Sequence, residues 1–229
     1  MHASVPLIVV KRTMKLDRLI AARTSQANRP SWAAILAKAF SIVARDEPWL
    51  RTFYLKWPWP RFFEVQKSVA TIAAIRESAG EDAVVFAKIV APDELSLQHV
   101  HAHIQGSKDS PLDDVQYVKR VLLVTRQPLP IRRLVWWLVL NIGRLRANNF
   151  GTFGITSIAS KGSEIVVART PGPSLISFGV IRSDCTMDIF FHWDHRIYDG
   201  VLVARILQRL EDVLNGDIAD ELSSNRQAP

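Results

Sequence analysis

Phe190-Phe191-His192-Trp193-Asp194-His195-Arg196-Ile197-Tyr198-Asp199-Gly200 is the stretch on which the reading of this chain turns. Apolar side chains alternate through Met187 to Trp193, as in a strand, and Val201 to Leu214 follows as a helix-like run. Between them His195 stands four residues before an Asp-Gly pair. A histidine at the end of a buried strand is well placed to move protons near neutral pH. Upstream, Ser174 to Ile181 is a second apolar strand. A turn at Ser183-Asp184 predicts that the two strands form an antiparallel hairpin that delivers His195. His192, three residues before His195, faces the opposite side of the strand and is a surface or packing residue, not a second base.

Asp194-His195-Arg196-Ile197-Tyr198-Asp199-Gly200 resembles the D-H-R-x-x-D-G signature of the catalytic domains of dihydrolipoamide acyltransferases from 2-oxoacid dehydrogenase complexes. These belong to the chloramphenicol acetyltransferase superfamily, whose wider signature is H-x-x-x-D-G. A second stretch, Asn149-Phe150-Gly151-Thr152-Phe153-Gly154-Ile155-Thr156-Ser157-Ile158, resembles that family's G-x-F-T-I-S strand. The likeness is firm over 151–214, looser over 31–97 and thin over 106–146. Condensation domains of peptide synthetases carry two adjacent histidines before x-x-x-D-G, whereas here Asp194 precedes His195.

The resemblance implies an α/β fold of two layers (α+β), a mixed sheet covered by helices. It implies one acyltransferase-like catalytic domain over 1–229, free-standing, without lipoyl or subunit-binding modules. It implies acyl transfer from a thioester to a thiol, hydroxyl or amine. His195 would be the general base and Thr156 the hydroxyl donor to the oxyanion. Asp199 would be mainly structural, paired with Arg12 or Arg196, and Gly200 would let the next helix approach closely or open its turn. Ser157, Trp193, Trp136 and Trp137 are the candidate substrate-lining residues. Coenzyme A or a phosphopantetheine arm would carry the acyl group as substrate, with no tightly bound cofactor. The family assembles as trimers with active sites between subunits, so a homotrimer is expected, with His195 facing Thr156 of a neighbour. The alternative is a non-catalytic homologue serving as an assembly or binding subunit.

The 229 residues, 48% hydrophobic, fit one sizeable α/β domain or two small ones. The single cysteine, Cys185, excludes an intrachain disulfide, and the N-terminus carries no signal pattern, so a cytoplasmic site is the expectation. A net charge of +7 favours anionic partners: coenzyme A, an acidic carrier protein or anionic lipid. No nucleic-acid-binding motif accompanies the charge, so no nucleic-acid partner is expected.

Further elements follow from spacing. Val5 to Lys15 is a strand, Leu16 to Ser25 a helix, and Ser31 an N-cap for a helix from Trp32 to Arg45. Trp57-Pro58-Trp59-Pro60 is expected to anchor a turn against the core. Lys67 to Arg76 and Ala83 to Val90 are strands around a turn at Ser78-Ala79-Gly80-Glu81-Asp82, and a helix is expected from Pro92 to about Ile104. That helix carries His99, His101 and His103, of which only His99 and His103 share a face. Without a carboxylate or cysteine set nearby, no metal site is expected. Arg126 to Arg146 is apolar at its centre, contains Trp136 and Trp137, and is flanked by arginines. Its uncharged core, Leu134 to Gly143, is too short to span a bilayer. It reads as a buried subunit contact or acyl tunnel, or else as a helix lying on a membrane surface.

Overall fold

The computed structural model describes residues 6–78, 81–109 and 116–224. In chain order the elements are β1 Leu7–Lys15, α1 Asp17–Thr24, α2 Trp32–Asp46, β2 Thr52–Leu55, β3 Arg61–Glu64, β4 Val69–Ser78 and β5 Glu81–Val90. There follow α3 Leu97–Asp109, α4 Gln116–Thr125, α5 Leu129–Asn141, α6 Gly143–Phe150, β6 Phe153–Thr156, β7 Ser174–Phe178, β8 Thr186–Asp194, α7 Gly200–Val213 and α8 Ala219–Ser224. Six strands form one sheet in the order β1-β8-β7-β6-β4-β5, and β2 and β3 form a separate hairpin. β4, β6 and β7 run parallel, while β1 with β8, β7 with β8, and β4 with β5 pair antiparallel. This is the mixed sheet covered by helices that the sequence implies.

Alternation along the strands gives the sheet two different faces. Ile72, Phe153, Ile155, Ile176, Phe178, Ile189, Phe191 and Trp193 point into the main core, beneath α2 and α7. α2 is buried continuously from Ala34 to Ala44, which its run of Ala, Ile, Leu, Phe and Val allows. Phe40 on α2 meets Phe153 edge-on at 4.7 Å and Phe191 at 5.7 Å. Ser31 caps α2 by accepting from Ala34 N–H at 3.3 Å. Lys38, also buried, pairs with Glu221 at 2.5 Å, and Glu221 accepts from Leu97 N–H at 2.7 Å, tying α2, α3 and α8 together.

The second face carries Asp188 and His192, and the segment between β6 and β7 lies against it. Ser177 Oγ donates to Ile165 C=O at 2.6 Å and lies 3.0 Å from His192 Nε2, while Ala168 N–H donates to His192 Nδ1 at 3.4 Å. His192 is therefore a fully buried clip, with burial pushing its pKa down to about 4. Gly151 supplies the one conformation this region needs, with φ of 75° at the approach to β6. A Cβ there would lie 2.6 Å from Val69 O, so no other residue fits without movement.

Three sequence expectations change. Trp57 and Trp59 are 51% and 66% exposed at the tip of the β2–β3 hairpin, so this turn is not anchored in the core. Pro92–Glu94 forms a single 3-10 turn, and α3 begins only at Leu97, because Leu95 is extended and Ser96 Oγ accepts from His99 N–H at 3.2 Å as a new cap. The apolar segment 126–146 breaks into α5 and α6 at Ile142, whose backbone is extended, and α5 buries none of its residues. The predicted turn at 78–82 pairs Ser78 with Glu81 at its ends, and its centre, Ala79-Gly80, lies outside the described residues.

Candidate active site

The motif that ends β8 folds into a tight, self-supporting turn. Asp194 is buried and takes a bidentate pair from Arg196, Nε at 2.8 Å and Nη2 at 2.5 Å, together with Arg196 N–H at 3.1 Å. Ile197 N–H donates to Asp194 C=O at 2.9 Å, closing the turn. The backbone is also fixed from outside: Asp194 N–H donates to Pro173 C=O at 3.1 Å and His195 N–H to Pro6 C=O at 3.0 Å. Tyr198 is fully buried, and its carbonyl receives Trp193 Nε1–H at 3.2 Å.

The same carbonyl lies 2.7 Å from His195 Nδ1. A carbonyl can only accept, so Nδ1 carries the hydrogen and Nε2 keeps a lone pair in the neutral ring. His195 is exposed, so this Nε2 is open to a reacting partner. The buried Tyr198 thus sets the tautomer of the exposed His195 through its backbone. Nothing in the local sequence signals that role except the fixed spacing of the motif.

Asp199 is the N-cap of α7, accepting from Leu202 N–H at 2.7 Å. The expected pairing with an arginine does not form. Arg12 binds Glu211 at 2.7 Å and lies away from this turn, and Arg196 is held by Asp194, two residues before it rather than three after. A Cβ on Gly200 would meet nothing within 4 Å, so this glycine is not needed for close packing. Trp193 is 1% exposed within the core and braces the His195 turn, so it does not line a substrate site.

Thr156 ends β6 and lines a groove of about 490 Å³ with Ser31, Trp32, Ile104, Lys108 and Ser157. Among the described residues its hydroxyl has no hydrogen-bond partner, which leaves it available as a donor. Ser157, by contrast, donates to Phe178 C=O at 2.8 Å and accepts from Ala159 N–H at 3.0 Å, so its hydroxyl is committed to shaping the following loop. His101 Nδ1, near this groove, accepts from Ser31 N–H at 3.2 Å.

One chain does not bring His195 and Thr156 together. Register places Thr156 beside Ser177 and Ser177 beside Phe190, whereas His195 lies five residues beyond Phe190. At about 3.3 Å per residue the two sit roughly 17 Å apart along the strand direction. Thr156 ends β6 level with the middle of β8, while His195 lies beyond the C-terminal end of β8.

A second groove, of about 630 Å³, opens beside the His195 turn. Arg196 forms part of its wall and stacks over Tyr54 at 4.3 Å. Lys56, Arg132, Arg133, Trp136 and Trp137 also line it, so Trp136 and Trp137 share this groove with Arg196. Arg146 in the same wall donates to Pro171 C=O and Tyr54 C=O, and burial holds its pKa down at about 10. This arrangement of cations and aromatic faces suits a phosphate-bearing ligand.

No protein-family model matches the chain, and no curated protein matches it by sequence. Solved structures do match. A probable dihydrolipoamide acetyltransferase from Listeria monocytogenes superposes with a TM-score of 0.63 at 16% identity, covering 99% of this chain and 89% of that one. The dihydrolipoamide acetyltransferase of Azotobacter vinelandii gives 0.65 at 13% identity, over 95% and 84% of the two chains. A chloramphenicol acetyltransferase gives 0.55 at 11% identity, over 92% and 89%. The chain has the chloramphenicol acetyltransferase-like fold, in the form taken by the catalytic cores of dihydrolipoamide acetyltransferases.

Proposed function

We propose that this chain is an acyltransferase that moves an acyl group from a thioester to a thiol, hydroxyl or amine. His195 Nε2 takes the proton of the attacking group as its bond to the carbonyl carbon forms. The carbonyl oxygen becomes an oxyanion and accepts a hydrogen bond from Thr156 of a neighbouring copy. The carbon–sulfur bond then breaks, and His195 returns the proton to the departing thiolate. No covalent acyl-enzyme is needed, since donor and acceptor meet in one complex.

The observation that carries this reading is the 2.7 Å contact from His195 Nδ1 to the Tyr198 carbonyl, which leaves Nε2 as a base. In the Azotobacter protein a serine, a histidine and an asparagine four positions after that histidine have been studied for their part in catalysis. Here Thr156, His195 and Asp199 stand in that pattern, with Asp199 serving as a helix cap. The thioester carrier is coenzyme A or a phosphopantetheine arm. Its phosphates would pair with Arg132, Arg133 and Lys56 in the groove beside Arg196.

The separation of His195 and Thr156 within one chain supports a homotrimer, or another closed ring, in which each site forms between copies. The test is thiol release from a panel of acyl-coenzyme A substrates. His195→Ala is expected to lower turnover by at least about a hundredfold. Thr156→Ala is expected to lower it by about two to three powers of ten. Unchanged thiol release in His195→Ala removes the reading and leaves a non-catalytic homologue.

A further inference from the structure

The positive charge of this chain is concentrated in one place. Of its 29 Lys and Arg residues, seven fall within 116–150, namely Lys119, Arg120, Arg126, Arg132, Arg133, Arg144 and Arg146, and no Asp or Glu does. The other 22 basic residues balance the chain's 22 acidic ones, so the net +7 of the molecule belongs to the segment that holds α4, α5 and α6. These helices are also unusually greasy on the outside. Leu123 is 66% exposed, Leu134 57%, Ile131 46% and Trp136 44%.

α5 has a division of faces. Leu129, Arg132, Arg133, Trp136, Trp137 and Leu140 recur at helical spacing along the groove beside Arg196. Val135 and Val139 turn toward Val121 and Val124 of α4. Ile131 and Leu134 line neither side and are exposed to solvent. The exposed tip of the β2–β3 hairpin abuts this helix, with Trp57 edge-on to Trp137 at 4.8 Å and Arg61 over Trp59 at 5.8 Å. Tryptophans and arginines around an apolar patch are the composition of a surface that rests among lipid headgroups.

We infer that α4, α5, the exposed start of α6 with Arg144, and the Trp57–Trp59 turn form a docking surface for an anionic bilayer, on which the protein lies without crossing. No helix among the described residues is long and apolar enough to span a membrane. A two-fold contact between copies is a poor occupant, because it would bring a strongly cationic patch against itself. A contact with a different face of a neighbour is separated from lipid docking by the test below. An anionic lipid surface neutralises those charges and receives the apolar side chains together. The bilayer would then adjoin the groove beside His195, a position suited to acyl groups drawn from or delivered to lipid. The docking itself stands independently of catalysis.

The test is flotation of the full-length protein with vesicles of phosphatidylcholine alone and with 30% phosphatidylglycerol, without any acyl substrate. Wild type is expected to bind the anionic vesicles at least about tenfold more strongly, and added salt to release it. Arg126→Glu with Arg144→Glu, both exposed and outside the groove, is expected to lower binding at least about thirtyfold, at roughly one charge-equivalent of attraction per residue. Trp57→Ser with Trp59→Ser tests the apolar half and is expected to lower binding while charge stays constant. Thermal melts matched to wild type establish that the variants are folded. Absence of wild-type binding to anionic vesicles overturns the inference, as does equal binding by folded variants of both kinds. Dissociation of an assembly by the tryptophan variants, with wild type indifferent to vesicles, overturns it in favour of a subunit contact.

Discussion

His195 owes its proposed chemistry to residues that never touch substrate. Asp194 holds the turn, Trp193 and Tyr198 fill the core beneath it, and the Tyr198 carbonyl fixes the imidazole tautomer. Asp199 belongs to the next helix, which separates its role from proton transfer. Asp199→Ala is expected to cost about 1 kcal/mol, or about 2–4 °C in melting temperature, and Asp199→Ser to recover most of it as an alternative cap. A carboxylate needed for turnover would instead leave the serine variant stable but slow. His192, on the other face, makes stability sensitive to acid. Burial holds its pKa at about 4, below the ordinary 6.5. As pH falls from about 6.5 towards 4, the unfolded chain takes up a proton that the folded chain refuses, so stability is lost over that window and levels off below it. His192→Gln is expected to remove about 2 kcal/mol of the stability lost between pH 7 and pH 4.5, measured by urea melts at the two values. An unchanged slope would show that this imidazole does not couple to folding.

Strand periodicity was easily legible at the scale of elements. β1, β4, β7 and β8 fall where alternation places them, and the β7–β8 hairpin delivers His195 as its turn chemistry requires. α2 follows its apolar spacing, and Ser31 caps it. What spacing could not supply was the environment of an apolar run. α5 has the composition of a buried helix yet buries nothing within this chain. The reason is physical: hydrophobic pattern states that a face must be covered, and not by what. The Trp57–Trp59 turn misleads in the same way, since aromatic residues beside proline fit a core turn and an exposed patch equally well.

At the scale of the molecule the sheet itself separates the two site residues. By register Thr156 lies level with Phe190, midway along β8, five residues short of His195, so the proposed site uniting them needs two copies. Mixing inactive His195→Ala with inactive Thr156→Ala subunits, by co-expression or by refolding together, is expected to restore activity at about a quarter of the sites in a random ring, since each intact site then takes His195 from one variant and Thr156 from the other. No recovery in verified mixed assemblies would place both groups within one chain and sink the proposed arrangement.

Local sequence determined most of the elements and the β4–β5 and β7–β8 hairpins, because side-chain period and turn chemistry act over a few residues. It also determined which histidine ends a strand and which hydroxyl stands at the end of β6. Tertiary structure alone decided that Trp193 and Ser157 are structural, that Arg12 lies away from the site, and that Asp194, not Asp199, holds Arg196. Those outcomes depend on which groups distant or turned-back backbone brings within a few ångströms. Burial and pairing are properties of the packed chain, and no periodicity along the sequence encodes them.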